Sequence, residues 1–204
     1  MASVPLQAIP IGPDCGTCQG SVYDLSYIEL PDLDPNTQTF RIDYSILTSG
    51  YTGGGVAIDS VALKVSTSET RVSVDLISAP GDLSDWQLVT GGINSGGCEP
   101  NENNGFECAD FIGLNAVGVS VPTQDLLMWS FLFVVENGGL FTGEGEASIK
   151  ARYVDAVGYK VGDLVSESIT LSKVPEPATL TLLGTGLTVL GGMRLRARRR
   201  RHTR

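Results

Sequence analysis

The sequence predicts an all-β body with an antiparallel β-sandwich or jelly-roll-like fold, followed by one C-terminal transmembrane helix. Three observations carry this prediction. Short segments alternate apolar and polar residues, and clusters of Gly, Pro, Asn and Asp separate these segments. Before residue 178, no segment repeats its apolar residues with a convincing helical period. Short strands separated this often by turns are typical of antiparallel sandwiches and jelly rolls.

The strand signals follow one another along the body. Residues 40–46 alternate strictly, so the two-residue period of a strand places their apolar side chains on one sheet face. The same alternation occurs in residues 61–65, 71–76 and 149–153. Residues 126–135 are apolar almost throughout, which predicts a central strand covered on both faces.

Length and charge limit the organisation of the chain. With 204 residues, there is room for one substantial domain. Residues 1–174 contain 22 acidic and 7 basic residues, whereas residues 175–204 contain one acidic and seven basic residues. Because an acidic surface repels phosphate backbones, we expect no nucleic-acid partner for residues 1–174.

One apolar segment stands close to the C-terminus. Residues 178–193 carry no charged side chain, and as a helix they would span about 24 Å at ~1.5 Å per residue. This is short for a hydrocarbon core of ~30 Å, but flanking arginines can extend to the interface. Basic residues follow on one side only, so the positive-inside rule predicts a cytoplasmic tail and an extracytoplasmic body. The membrane-flanking arginines are Arg194, Arg196, Arg198, Arg199, Arg200 and Arg201.

Two other interpretations of this segment fit less well. A buried amphipathic helix with a solvated basic end is disfavoured, because four glycines within residues 178–193 weaken a soluble helix. A nucleic-acid-binding or nuclear-targeting arm has no use for an uncharged run of this length. We therefore expect the segment to interact with the membrane.

The residues before the apolar segment identify its type. Pro175-Glu176-Pro177 forces an extended stretch, because each proline fixes φ and disfavours helix in the preceding residue. The order Pro-Glu-Pro, short apolar helix and Arg-rich end resembles the PEP-CTERM sorting signal of Gram-negative bacteria, whose tail is also labelled an ice-binding protein C-terminal domain. The resemblance implies export, processing by a membrane-embedded exosortase, and delivery to the cell surface or the extracellular polysaccharide matrix.

These features divide the chain into three parts. Residues 174–204 form the sorting signal and residues 21–173 the extracytoplasmic sandwich. Residues 1–20 are an N-terminal segment that includes a Cys-x-x-Cys motif and is interpreted as a remnant of an export signal. Residues 1–10 contain no basic residue and no apolar run, so either the true start lies upstream or the tail acts without a classical leader.

The four cysteines favour disulfides in an exported protein. We expect a Cys98–Cys108 disulfide, because residues 103–105, Asn-Asn-Gly, allow the intervening loop to reverse. Cys15 and Cys18 are predicted to form a local disulfide or to cross-link to the other pair. Thiol-disulfide exchange at Cys15 and Cys18, and a zinc site of all four thiols, remain less favoured alternatives.

The chemistry-bearing residues give little sign of an active site. The sole histidine is His202, so the body holds no Ser-His-Asp or Cys-His arrangement. No phosphate-binding glycine motif ending in Lys-Ser or Lys-Thr occurs. A catalytic site formed by two carboxylates is still an open alternative, since the 22 acidic residues of the body allow many pairings. We therefore expect a non-enzymatic protein without a cofactor or a catalytic or metal site.

Two further motifs each have two interpretations. Asp32, Asp34 and Asn36 are spaced like the start of a calcium loop, but Thr37 stands where that loop needs glycine, so a turn is favoured. Trp86 lies in an alternating segment and either stacks on a sugar at the surface or turns inward. The sequence thus predicts a structural or adhesive surface protein, with a carbohydrate-binding module for extracellular polysaccharide as the alternative.

Overall fold

The computed structural model describes residues 10–32, 34–65, 71–100, 105–121, 126–136 and 145–174. The chain divides into two units, Met1–Val174 and Pro175–Arg204, and the description below concerns the first. The strands are β1 (Val22–Leu30), β2 (Thr37–Leu47), β3 (Ala57–Val65), β4 (Arg71–Ser78), β5 (Trp86–Asn94), β6 (Gly97–Pro100), β7 (Glu107–Phe111), β8 (Val119–Ser120), β9 (Leu126–Glu136), β10 (Gly145–Val154) and β11 (Val165–Lys173).

The strands form a single mixed sheet in the order β4-β9-β2-β1-β11-β10-β3-β7-β5-β6, with β8 beside β3. The all-β prediction is confirmed. The prediction of a purely antiparallel arrangement is wrong at one pair, because β1 and β11 run parallel, with Ser26 opposite Ser172 and Tyr27 opposite Lys173. These strands come from opposite ends of the body, so no hairpin constrains their direction.

The core brings together large side chains from strands that are not neighbours in this sheet. Trp86 of β5 meets Trp129 of β9 at a centroid distance of 5.4 Å, and the Tyr44 hydroxyl of β2 donates to the Lys150 carbonyl of β10 at 3.3 Å. Since these strands are not hydrogen-bonded neighbours, the contacts show that the sheet folds back on itself.

A second, smaller cluster lies on the other face of β3. Ala62 alternates with Val61 and Leu63, which face the main core, so Ala62 points to the opposite side. Ile93 and Phe106 complete this outer cluster together with Cys108. It covers part of the face that β3 and β10 turn away from the core.

Strand β9 has a neighbour on each side, β2 and β4, but it is the second strand from the end of the sheet order and not a central one. The expectation that both faces are covered is wrong at its beginning, where Leu126 is 57% and Met128 is 42% exposed. Alternation along β9 puts Trp129, Phe131 and Phe133 into the core instead. A run of apolar residues therefore marks the strand without showing how each face is packed.

Within the described part of the chain, no helix is long and apolar enough to cross a membrane. The predicted transmembrane helix, residues 178–193, lies outside the described residues.

Candidate functional site

The end of β11 is the point at which the body passes into the proline-containing tail. The Val174 N–H donates to the Tyr27 carbonyl at 2.9 Å, which extends the pairing of β11 with β1 by one residue. Lys173 Nζ lies 3.1 Å from Glu29 Oε2, and about half of each side chain is exposed. The chain is thus held on β1 up to Val174, at the surface of the body.

Two prolines follow closely after β11 in the sequence. Pro175 and Pro177 have no backbone N–H, so neither can donate to a strand ladder. The predicted sorting residues Pro175, Glu176 and Pro177, and the arginines from Arg194 to Arg201, lie outside the described residues. The strand end that precedes them is exposed at Lys173 and Val174.

The four cysteines are paired in two disulfides, Cys15–Cys18 and Cys98–Cys108, with Cα–Cα distances of 5.2 and 5.9 Å. This leaves no thiol for the alternative zinc site. Cys18 is fully buried in the core, and the Ile11 N–H donates to the Tyr23 carbonyl, so residues 11–18 form part of the packed body. Cys98–Cys108 joins β6 to β7 beside the outer cluster.

Trp86 turns inward. Its side chain is 5% exposed, its ring meets Phe111 edge-on at 5.3 Å, and its Nε1 donates to the Pro80 carbonyl at 3.0 Å. The Trp86 ring packs against Phe111 and Trp129 within the core, so it presents no face to a sugar, and the sugar-stacking interpretation of Trp86 is wrong. Alternation alone could not choose between the two faces of the strand.

The acidic motif before β2 forms a turn. Asp34 Oδ1 accepts from the Asn36 N–H at 2.7 Å, and Asp32 Oδ1 accepts from the Thr39 N–H at 3.0 Å. These carboxylates therefore bind backbone, as side chains in turns commonly do. Among the described residues, no group of three or more His, Cys, Asp or Glu side chains is arranged to hold a metal ion.

Asp59 and Asp110 are a pair of carboxylates that the fold brings together. Both lie within hydrogen-bonding distance of Ser60 Oγ, at 3.2 and 3.1 Å. Arg152 Nη1 donates to Asp59 Oδ2 at 2.8 Å, and Gln87 Nε2 donates to Asp110 Oδ2 at 3.1 Å. Burial raises the pKa of Asp59 to about 6, against the lowering effect of Arg152. Both carboxylates are engaged by protein donors, which suits a structural network.

Glu107 is a second buried carboxylate, and it faces the core. It forms an ion pair with Arg71 of β4 and accepts from the Thr90 hydroxyl at 3.1 Å. Burial raises the pKa of Glu107, while Arg71 lowers it. The pair links the edge strand β4 to β7, two strands that are distant along the sheet.

One pocket on the outer face collects polar side chains that no sequence motif indicated. We call it the outer pocket; its volume is about 230 Å³. It lies beside the outer cluster, where β3, β10 and β11 are neighbours. Its lining residues are Lys64, Phe106, Glu146, Ala147, Ser148 and Ser168.

The comparison with protein families concerns the junction after β11. Residues 173–201 match the model of the PEP-CTERM protein-sorting motif. The chain carries a PEP-CTERM sorting motif. The match confirms the resemblance predicted from Pro175-Glu176-Pro177, and the PEP-CTERM motif begins at Lys173, the last residue of β11. The motif covers the tail only, so the body has to be understood from its own residues.

Several solved structures of surface proteins are similar to this chain at low levels. The collagen-binding subdomain of the Enterococcus faecalis surface protein ACE has a TM-score of 0.34 and 10% identity, over 75% of this chain and 96% of that chain. Domains D2 and D3 of the major pilin SpaD from Corynebacterium diphtheriae have a TM-score of 0.32 and 13% identity, over 71% of this chain and 49% of that chain. TM-scores this low do not establish a shared fold. No curated protein matches the sequence significantly.

Proposed function

We propose that this chain is an exported protein of the cell surface or extracellular matrix of a Gram-negative bacterium, with a structural or adhesive, non-enzymatic role. The observation that carries the proposal is the PEP-CTERM motif at residues 173–201, which starts where the packed body ends. The motif implies an exosortase-type enzyme as processing partner, and the membrane as the place of processing.

The body has properties that support export. Both cysteine pairs are disulfides, which persist in oxidising compartments. The excess of acidic residues in the body favours solubility outside the cell. The junction supports processing, because Lys173 and Val174, the last described residues before Pro175, are exposed at the end of β11.

Processing is tested by the mass of the mature C-terminus. The protein is recovered from surface and supernatant fractions of the native host, with and without its sorting enzyme. We expect the residues after Pro175-Glu176-Pro177 to be missing only when the enzyme is present. A Glu176→Gln variant should accumulate uncleaved, whereas the matched Glu167→Gln variant in β11 should be processed normally. If Arg194 to Arg204 stay attached in the membrane fraction of the unmodified strain, the protein is tail-anchored and the sorting proposal fails.

A further inference from the structure

The outer pocket is built from a row of polar side chains on one sheet face. Lys64 of β3 lies opposite Ser148 of β10, and Ser148 lies opposite Ser168 of β11. Glu146 is two residues from Ser148 and therefore points to the same side. Glu146 and Ser168 are exposed and Lys64 and Ser148 are half-buried, so all four can be reached from solvent.

None of these four side chains has a hydrogen-bond or ion-pair partner among the described residues. Lys64 and Glu146 line the same pocket, yet no ion pair joins them in the part of the chain that the structure describes. The contrast is with Arg41, Arg71, Arg152 and Lys173, each of which is paired with a carboxylate. Because no described carboxylate forms an ion pair with Lys64, its ammonium group can donate hydrogen bonds to a ligand in the pocket.

Phe106 gives the pocket an apolar wall. The ammonium groups of Lys150 and Lys64 lie 4.9 and 6.0 Å from the centre of its ring, within or at the limit of cation–π contact. Gly105 has a φ of +93°, and a Cβ there would come within 3.0 Å of Lys64 Cε, so this glycine allows the close approach. The Cys98–Cys108 disulfide fixes the outer cluster in which Phe106 packs, so the wall is preorganised.

We propose that the outer pocket binds one hydroxyl-rich sugar unit of an extracellular polysaccharide. A sugar hydroxyl both donates and accepts, and the pocket offers a charged donor, a charged acceptor and two hydroxyls that do both. The part of Phe106 that lines the pocket adds a small apolar contact for C–H groups of the sugar, although the side chain as a whole is 8% exposed. The volume of about 230 Å³ is below the ~300–1,000 Å³ of pockets for drug-sized ligands, and this size suits a single ring. The inference rests on the proposed export, which brings the body into contact with such polymers.

Saturation-transfer NMR tests the proposal. The full chain, dissolved in a detergent without a sugar headgroup, is titrated with D-glucose, D-galactose, N-acetyl-D-glucosamine and D-glucuronic acid, and with the peptide acetyl-Glu-Gly-Lys-amide. We expect transfer to at least one sugar. Lys64→Gln and Glu146→Gln should each lower the affinity for that sugar about tenfold or more, because each removes a charged hydrogen-bonding group. The matched changes Lys160→Gln and Glu99→Gln lie outside the pocket and should leave binding unchanged.

Three outcomes would overturn the proposal. These are transfer to none of the four sugars, sugar binding that both pocket variants retain, and transfer to the peptide alone. Sorting is read separately, since Lys64→Gln should be processed at its C-terminus like the unmodified chain. If the tail is processed normally but no sugar binds, only the pocket proposal is overturned. If the chain binds a sugar but its tail is never cleaved, only the sorting proposal is overturned.

Discussion

Both tryptophans of the chain lie in the core. Trp86 is almost completely buried, Trp129 is completely buried, and their rings meet edge to face. The Trp86 indole has a carbonyl partner, whereas Trp129 Nε1 is buried without one. An edge-to-face pair of this kind contributes about 0.5–1.5 kcal/mol beyond the burial of its area. The two rings therefore join strands β5 and β9 across the interior.

The burial of both rings predicts the fluorescence of the folded protein. Because neither indole reaches solvent, emission should be blue-shifted and acrylamide should quench it weakly. Denaturation in urea should shift the emission to longer wavelength and make quenching strong. Binding of a sugar at the outer pocket should leave the spectrum unchanged. Strong quenching of the folded chain would contradict the inward orientation of Trp86.

Asp59 makes stability depend on pH. Burial raises its pKa from 3.8 to about 6, so between these values the folded chain holds a proton that the unfolded chain has released. The contribution of Asp59 to stability is therefore fully present below about pH 4 and is lost as the pH rises through about 6.

A comparison with Asp59→Asn isolates this effect. The free energy of unfolding of each chain is measured in urea between about pH 4 and about pH 7. The value for the unmodified chain minus the value for the variant should fall by up to about 3 kcal/mol over this range. Asp155→Asn, in an exposed turn, is the control and should show no such slope. A constant difference between the unmodified chain and Asp59→Asn across this range would contradict the raised pKa.

At the scale of elements, one disulfide and one ion pair link strands that are not hydrogen-bonded neighbours. The Arg71–Glu107 pair connects β4 with β7, and the Cys98–Cys108 disulfide connects β6 with β7. Strands β4 and β6 stand at the two ends of the sheet order, where each has only one neighbour. Both links therefore secure edge strands, which ladder hydrogen bonds hold on one side only.

The two disulfides should contribute unequally to stability. Cys98 and Cys108 are 10 residues apart and Cys15 and Cys18 are 3 apart, so the first closes the longer loop. In the chain-entropy model, their removal costs about 3 and about 2 kcal/mol respectively. Urea unfolding of Cys98→Ala/Cys108→Ala and of Cys15→Ala/Cys18→Ala tests the order. A larger loss for the Cys15–Cys18 pair would show that packing of the buried Cys18 outweighs loop closure.

At the scale of the whole molecule, β11 completes the sheet. It pairs with β10 on one side and β1 on the other, and it contributes Val165, Ile169 and Leu171 to the core. The last strand therefore connects the first strand, β1, to β10 within the sheet. Removal of the tail by a sorting enzyme is compatible with this fold only if cleavage leaves β11 intact.

Two truncations test this requirement. A chain that ends at Val174 should keep its far-UV circular dichroism and its urea midpoint, because its strands and core residues are all retained. A chain that ends at Leu164 lacks β11 and should be unfolded, since β1 and β10 then lose their common neighbour. A folded product of the shorter chain would show that β11 is dispensable, and loss of structure on truncation at Val174 would show that the body depends on the tail.

The sequence by itself determined the all-β class, most strand positions and the sorting motif, because alternation, turn residues and Pro-Glu-Pro are local in the chain. Tertiary structure alone decided three features. Alternation places Trp86 and Leu88 on one face but cannot say which face is buried. The parallel β1–β11 pair joins residues about as far apart as the body allows. Lys64, Ser148 and Ser168 form the outer pocket only because strand register aligns them, and register depends on the packing of the whole sheet.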